Sequence, residues 1–274
     1  MASPIPRARA DLVDWVNRTA EALSNYWQGF TDRQVLVGLV PTGTRGPTGF
    51  GRSVAGGGPT VMVQVGREVD RRRLFTDWVL VHELVHTAMP YLRGRATWFM
   101  EGSATYIEPI VRARAGWKSE EEAWKEWIDN MPRGLEAVAR GLVNASGREA
   151  YWAGAIVMLM ADVEIRRRTQ GAKGLEDCLA GALWAGLDGP ARVSLVDYAA
   201  ACDRASGTTA MGELVERHHA NANPVDLAAY WKQLGVALEA GRIVLDDTAP
   251  LARWRKTIVM GPSGRPERPV KLPW

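Results

Sequence analysis

The 274-residue sequence predicts an α+β chain, mostly helical, in which a small N-terminal sheet leads into a helical body. Three observations carry this. Two short runs, QVLVGLVP (Gln34–Pro41) and TVMVQVG (Thr60–Gly66), are rich in β-branched residues and bounded by Gly and Pro, which is how strands read. Beyond Asp70 the apolar residues recur at helical spacing for most of the chain. No internal repeat or low-complexity linker separates two units, so one domain over 1–274 is expected: a mixed upper lobe (1–89), a helical lower lobe (90–260) and an extended, Pro-rich tail (261–274).

In chain order, the first thirty residues read as a helix, with apolar residues at Leu12, Val13, Val16, Ala20 and Leu23. After the first strand, TGTRGPTGFGRSVAGGGP (Thr42–Pro59) reads as loop. Its glycines suit turns better than close backbone approach, although Gly57 and Gly58 are the candidates for contact with a substrate. Asp70 reads as an N-cap. Helices are expected near 71–89, 97–114, 119–129, 149–169, 174–185, 193–203, 208–218 and 225–239, with Pro109 kinking or ending the second of them.

The net charge is +3, with the basic residues dispersed. The triplets Arg71–Arg73 and Arg166–Arg168 read as solvated helix faces, and no basic stripe with interleaved aromatics suggests nucleic acid as a partner. No apolar run is long enough for a membrane span. The N-terminus MASPIPRARADLVDWV lacks a hydrophobic signal core. As given, the chain is expected to be soluble: cytoplasmic, or periplasmic or secreted if a signal segment was trimmed. Cys178 and Cys202 form neither a metal knuckle nor a CxxC pair. Two free thiols suit a cytosolic protein and a disulfide an exported one, and both stay open.

The chemistry concentrates in TDWVLVHELVHTAMP (Thr76–Pro90), where His82 and His86 stand four residues apart. On a helix they lie on one face and can aim both imidazoles at one metal ion. Glu83, on the adjacent face, is placed to act as general base on water at that ion, as in the H-E-x-x-H arrangement of zinc peptidases. The helix is apolar nearly all round, and buried polar groups need a strong partner. A third ligand is available in TWFMEGSATYIE (Thr97–Glu108). There Glu101 follows a turn that begins at the helix-stopping Pro90. Two histidines and one glutamate leave a fourth position open around zinc (Zn2+), as catalysis requires. Glu108, two turns after Glu101, is a candidate to hold a ligand from behind. His218 and His219 are adjacent, cannot share a helix face, and read as a polar helix end.

HELVH followed by WFMEGSATYIE resembles the gluzincin clan of zinc metallopeptidases, whose second motif is W-x-x-E-G-x-A/T-x-Y. YWAGAIVMLMADVEIRRRTQGAKGLEDCLAGAL (Tyr151–Leu183) resembles a segment shared by the aminopeptidase N and glycyl aminopeptidase families, and with LAAYWKQLGV (Leu227–Val236) it is most similar to the glycyl aminopeptidases. The resemblance covers roughly residues 75 to 240. It implies a zincin (thermolysin-like) catalytic domain that hydrolyses peptide or protein substrates. His82, His86 and Glu101 match the zinc ligands, Glu83 the general base, and Tyr151 the tyrosine that hydrogen-bonds the oxyanion. Gly154 would let its helix pack closely beside the site.

This chain has no room for the N-terminal β-rich domain of the large members. The G-x-M-E-N segment, whose glutamate grips a substrate amine in the aminopeptidase N family, is replaced here by AGGGPTVMVQVG, Ala55 to Gly66, which holds no carboxylate. That stretch is expected to serve as an edge strand for substrate backbone. The absent anchor leaves endopeptidase and aminopeptidase action both open. A catalytically degenerate protein that binds a peptide or partner is the alternative, and the oligomeric state is not legible.

Overall fold

A computed structural model describes residues 8–29, 34–43, 48–54, 59–67, 69–189 and 191–261. Helix α1 (Ala8–Trp27) buries Trp15, Leu23, Tyr26 and Trp27. Three strands follow: β1 (Leu36–Thr42), β2 (Thr48–Val54) and β3 (Thr60–Gly66), in the order β1-β3-β2. β1 runs parallel to β3, from Leu36 against Thr60 to Thr42 against Gly66. β2 runs antiparallel to β3, with a register shift between Thr48 and Gly51. Val61, Val63 and Val65 of β3 are buried while Met62 between them is exposed, the alternation of a sheet with one covered face.

Two expectations change here. The stretch read as loop contains β2. The strand expected to offer an edge, β3, is central, so the edges with no described partner strand belong to β1 and β2, and it is β2 that lies against α3. A glycine-rich segment has little strand propensity, and β2 exists because it lies directly on a helix. A Cβ at Gly51 would stand 2.4 Å from Val79 Cγ1 and 2.7 Å from Glu83 Cγ. Close approach, not a turn, explains that glycine. Gly57, Gly58 and the tail beyond Gly261 lie outside the described residues.

The helix expected over 71–89 is two. α2 (Arg71–Thr76) starts at Asp70, whose carboxylate accepts the Arg73 N–H at 2.8 Å. Asp77 is extended and breaks the helix, accepting the Thr48 hydroxyl at 2.7 Å and the Val79 N–H at 2.9 Å. α3 (Val79–Thr87) then runs through the core, with His82 and Glu83 buried. Pro90 precedes the short strand β4 (Tyr91–Arg93).

α4 (Thr97–Arg114) has the bounds expected for it and passes through Pro109 without ending there. One missing N–H is the local cost, and the burial of Ile107, Ile110 and Val111 around it offsets that cost. α5 (Glu120–Asn130) opens on a capping box of Ser119 and Glu122. α6 (Leu135–Arg140), which the sequence left unassigned, precedes α7 (Gly147–Arg168). α7 crosses α4 at backbone contact: a Cβ on Gly154 would sit 1.9 Å from the Trp98 carbonyl oxygen, and one on Gly102 would sit 2.3 Å from Gly154 Cα.

α8 (Leu175–Trp184) and α9 (Leu195–Ser206) carry Cys178 and Cys202, joined as a disulfide across 24 residues of sequence. Between them β5 (Arg192–Ser194) pairs in parallel with β4. α10 (Ala210–His218) and α11 (Leu227–Leu234) follow. α11 stops earlier than expected because Gly235 takes φ +68°, and the chain turns into the hairpin β6 (Val236–Glu239) and β7 (Arg242–Leu245). α12 (Ala252–Met260), also unassigned from sequence, closes the body. Arg166 is buried rather than solvated, with Nε 2.8 Å from Asp162 and Nη2 2.7 Å from Glu176. No described helix is long and apolar enough to cross a membrane.

The α4–α7 crossing yields a test. Gly154→Ala forces a methyl into the Trp98 carbonyl and is expected to cost about 2 kcal/mol or more in urea denaturation. Gly43→Ala, whose Cβ meets nothing within 4 Å, is the control and should change stability by less than about 0.5 kcal/mol. Equal stability of the two variants would refute the backbone contact.

Candidate metal centre

His82 and His86 stand one turn apart on α3, with ring centroids 4.9 Å from each other. Glu101, on the second turn of α4, brings its carboxylate to both. Its Oε2 lies 3.1 Å from His82 Nε2 and 3.4 Å from His86 Nε2. One ligand atom from each residue falls within 4.8 Å of the others, which makes these three the group among the described residues able to hold a metal ion. Donors about 2.0–2.1 Å from a tetrahedral ion are spaced roughly 3.3–3.4 Å apart, so the carboxylate–imidazole distances fit one. Both Nδ1 atoms are buried without a hydrogen-bond partner, and the shared target of the rings is on the Nε2 side.

Electrostatics prepares the donors. Burial pushes the His82 imidazole down to about 4, more than the nearby Glu101 raises it, so at neutral pH His82 is uncharged and keeps a lone pair for a metal. Burial acts to raise the Glu101 carboxyl, but hydrogen bonds and charge from His82 and His86 outweigh it and hold the group well below the usual carboxylate range. Glu101 is therefore an anion.

Glu83 faces the same space from the adjacent side of α3. Burial raises its carboxyl, and the charge of His86, a hydrogen bond from the Ser53 backbone N–H and the charge of Arg52 act in the opposite sense. A carboxylate raised in this way is better matched to proton transfer near neutrality. Tyr151, on the second turn of α7, stacks on His82 with centroids 5.4 Å apart and planes 6° apart. Its phenol is raised by burial, by the charge of Glu101 and by a hydrogen bond to it, and by Glu83, so it stays protonated as a donor. Five of the residues singled out in the sequence, His82, Glu83, His86, Glu101 and Tyr151, thus meet in one place.

Glu108 does not join them. It shares a helix face with Glu101, but seven residues carry it about 10 Å along the axis. There it is buried against Arg112, whose Nε donates to its Oε2 at 2.6 Å. Arg112 also donates to Glu126 at 3.0 Å and to the Thr76 carbonyl at 2.9 Å. His219 falls in no group of metal donors among the described residues; its Nδ1 accepts the Trp98 Nε1–H at 3.1 Å, and His218 is buried rather than a polar end.

Sequence reasoning missed Gly51, Ser53 and Trp78. The first two sit in a segment with no strand signal. Trp78 lay in plain sight, one turn before His82 on the same face, and its ring meets His82 edge-on at 5.2 Å.

No protein-family model matches the chain, and no curated protein matches it. Among solved structures, it is similar to an aminopeptidase N family protein from Idiomarina loihiensis, with a TM-score of 0.60 and 12% identity. The match covers 86% of this chain and 46% of that one, so the chain spans about half that protein's length. At this identity the likeness shows the fold: an aminopeptidase N-like arrangement, mostly helical with small sheets.

The Glu108–Arg112 pair makes its own prediction. Arg112→Leu leaves a buried carboxylate without its main counter-charge and should cost about 3–5 kcal/mol in chemical denaturation. A cost below about 1 kcal/mol would mean that the pair is not buried as described.

Proposed function

We propose that this chain is a zinc-dependent metallopeptidase that hydrolyses peptide bonds with Glu83 as general base. The observation that carries the reading is the convergence of two imidazoles, of which His82 is held neutral, and one anionic carboxylate, with a raised carboxyl and a protonated phenol beside them. His82, His86 and Glu101 would hold the ion, and zinc when bound supplies Lewis acidity toward a carbonyl and toward water. Glu83 takes the proton of the attacking water and passes it to the leaving amine. Tyr151 donates its hydroxyl hydrogen to the oxyanion that develops on the carbonyl, an interaction stronger in the transition state than in the ground state. Burial of His82 and Glu83 keeps water from screening these charges.

The substrate backbone adds to the free edge of β2, whose Ser53 N–H already points at Glu83. Exopeptidases spend binding energy on a free terminus. The three strands of the sheet contain no Asp or Glu to grip an ammonium, which favours internal cleavage.

Metal analysis with peptide turnover tests the reading. His82→Ala, His86→Ala and Glu101→Ala should each sharply lower a zinc content of about one per chain. Glu83→Gln should retain zinc and lose about 10²- to 10⁴-fold in kcat. Tyr151→Phe should retain zinc and lower kcat more than it raises KM. Undiminished zinc in all three ligand variants would overturn the assignment.

Internal cleavage has a separate check. A peptide and its N-acetylated twin should be cut with kcat/KM values within a few fold. A loss above about thirtyfold on acetylation, roughly 2 kcal/mol, would restore the aminopeptidase.

A further inference from the structure

We infer that Arg52 selects substrates with an acidic side chain at the strand position across from it, so that the preferred substrates are acidic peptide segments. This rests on the metallopeptidase reading for the place where substrate lies, and on three independent features of the chain for its chemistry.

The first is direction. In an antiparallel ladder, residues whose backbone groups face the partner strand alternate with residues whose groups face away. Ser53 turns its N–H toward Glu83, and so away from β3. Gly51, two residues earlier, faces outward with it. The Gly51 N–H and carbonyl and the Ser53 carbonyl are the backbone groups to which a peptide strand would bond, the Ser53 N–H being spent on Glu83.

The second is the side of the strand. Side chains alternate between faces, and the side-chain direction at Gly51 runs into Val79 and Glu83. Arg52 therefore stands on the other face, exposed like Val54. It is still close enough for its charge to act on the Glu83 carboxylate. A peptide strand along the β2 edge alternates in the same way, so one of its side chains lies beside Arg52 on that outer face. Opposite charges in such cross-strand pairs attract, and like charges repel.

The third is the composition of the lobe. From Arg33 to Arg67 the sequence holds four arginines and no Asp or Glu, while the whole chain carries only +3. Arg52 is the sole charged residue of β2. Nothing in this segment competes for its guanidinium, and nothing there receives a substrate lysine or ammonium.

The test uses the intact zinc-loaded protein and N-acetylated, C-amidated peptides of equal length, in which Glu, Gln or Lys is moved through the positions flanking the scissile bond. At one position Glu should exceed Gln in kcat/KM by about two- to fivefold and Lys by about tenfold. The preference should fade as salt rises. Arg52→Glu should reverse the order at that position. Affinities of the same peptides for the Glu83→Gln variant should show the same ranking in Kd. A flat response to charge at every position, or a Glu preference that survives Arg52→Glu, overturns the inference and leaves the peptidase standing. If no peptide is cut, the peptidase reading falls, and the inference is decided by whether the Kd ranking is present and reverses in an Arg52→Glu, Glu83→Gln double variant.

Discussion

The contact between α4 and α7 at Gly102 and Gly154 sets the geometry on which the rest depends. Two helices with ordinary side chains at their crossing keep their axes about 8–10 Å apart. Here backbone meets backbone, with no space for even a methyl on either glycine. Glu101 is the residue before Gly102, and Tyr151 lies one turn before Gly154. Closing that crossing brings a carboxylate and a phenol, from helices far apart in sequence, to the same side of His82. The small residues are as much part of the site as the residues that bear its chemistry.

A second close approach shapes the opposite wall. Gly51 lets β2 lie on α3 without an intervening side chain, which puts the Ser53 N–H within bonding range of Glu83. Asp77 ties the two elements together, bonding Thr48 on the strand and the Val79 N–H at the start of α3. The half-buried carboxylate thus ends one helix, starts the next and anchors the strand. Both walls are set by backbone position, which is why the donors need little freedom of their own.

The parts of this arrangement visible in the sequence are those that local periodicity encodes. His82, Glu83 and His86 follow from spacing on one helix. Glu101 follows from a helix, a turn and a second helix, and Tyr151 from family resemblance. What stayed hidden depends on partners distant in sequence. β2 has a poor strand composition and is held by α3. Arg166 looks like part of a solvated triplet until Glu176 folds back to meet it. α11 gives way to a hairpin that Arg255 pins through the Gly235 and Asp246 carbonyls at 3.1 Å each. Glu108 is instructive in another way, since Arg112 stands four residues on, and an i, i+4 ion pair was readable. Its shared face with Glu101 is the competing signal, and that signal points toward the metal instead.

Charge balance distinguishes the candidate centre from other buried polar groups. Asp162 and Glu176 are met by Arg166 and Arg114. Glu108 and Glu126 are met by Arg112 and Lys118. Arg255 is met by Glu120 and Asp247. Each of these clusters satisfies its own charges, as a low-dielectric interior demands. Glu83 and Glu101 share a space with imidazoles of which His82 is held neutral, and the arginine that acts on Glu83 is the exposed Arg52. Two carboxylates facing imidazole nitrogens, with no buried arginine or lysine paired to them among the described residues, form a site whose electrostatics favours a small cation. The donors are two nitrogens and an oxygen, a set suited to zinc rather than to the all-oxygen preference of calcium or magnesium.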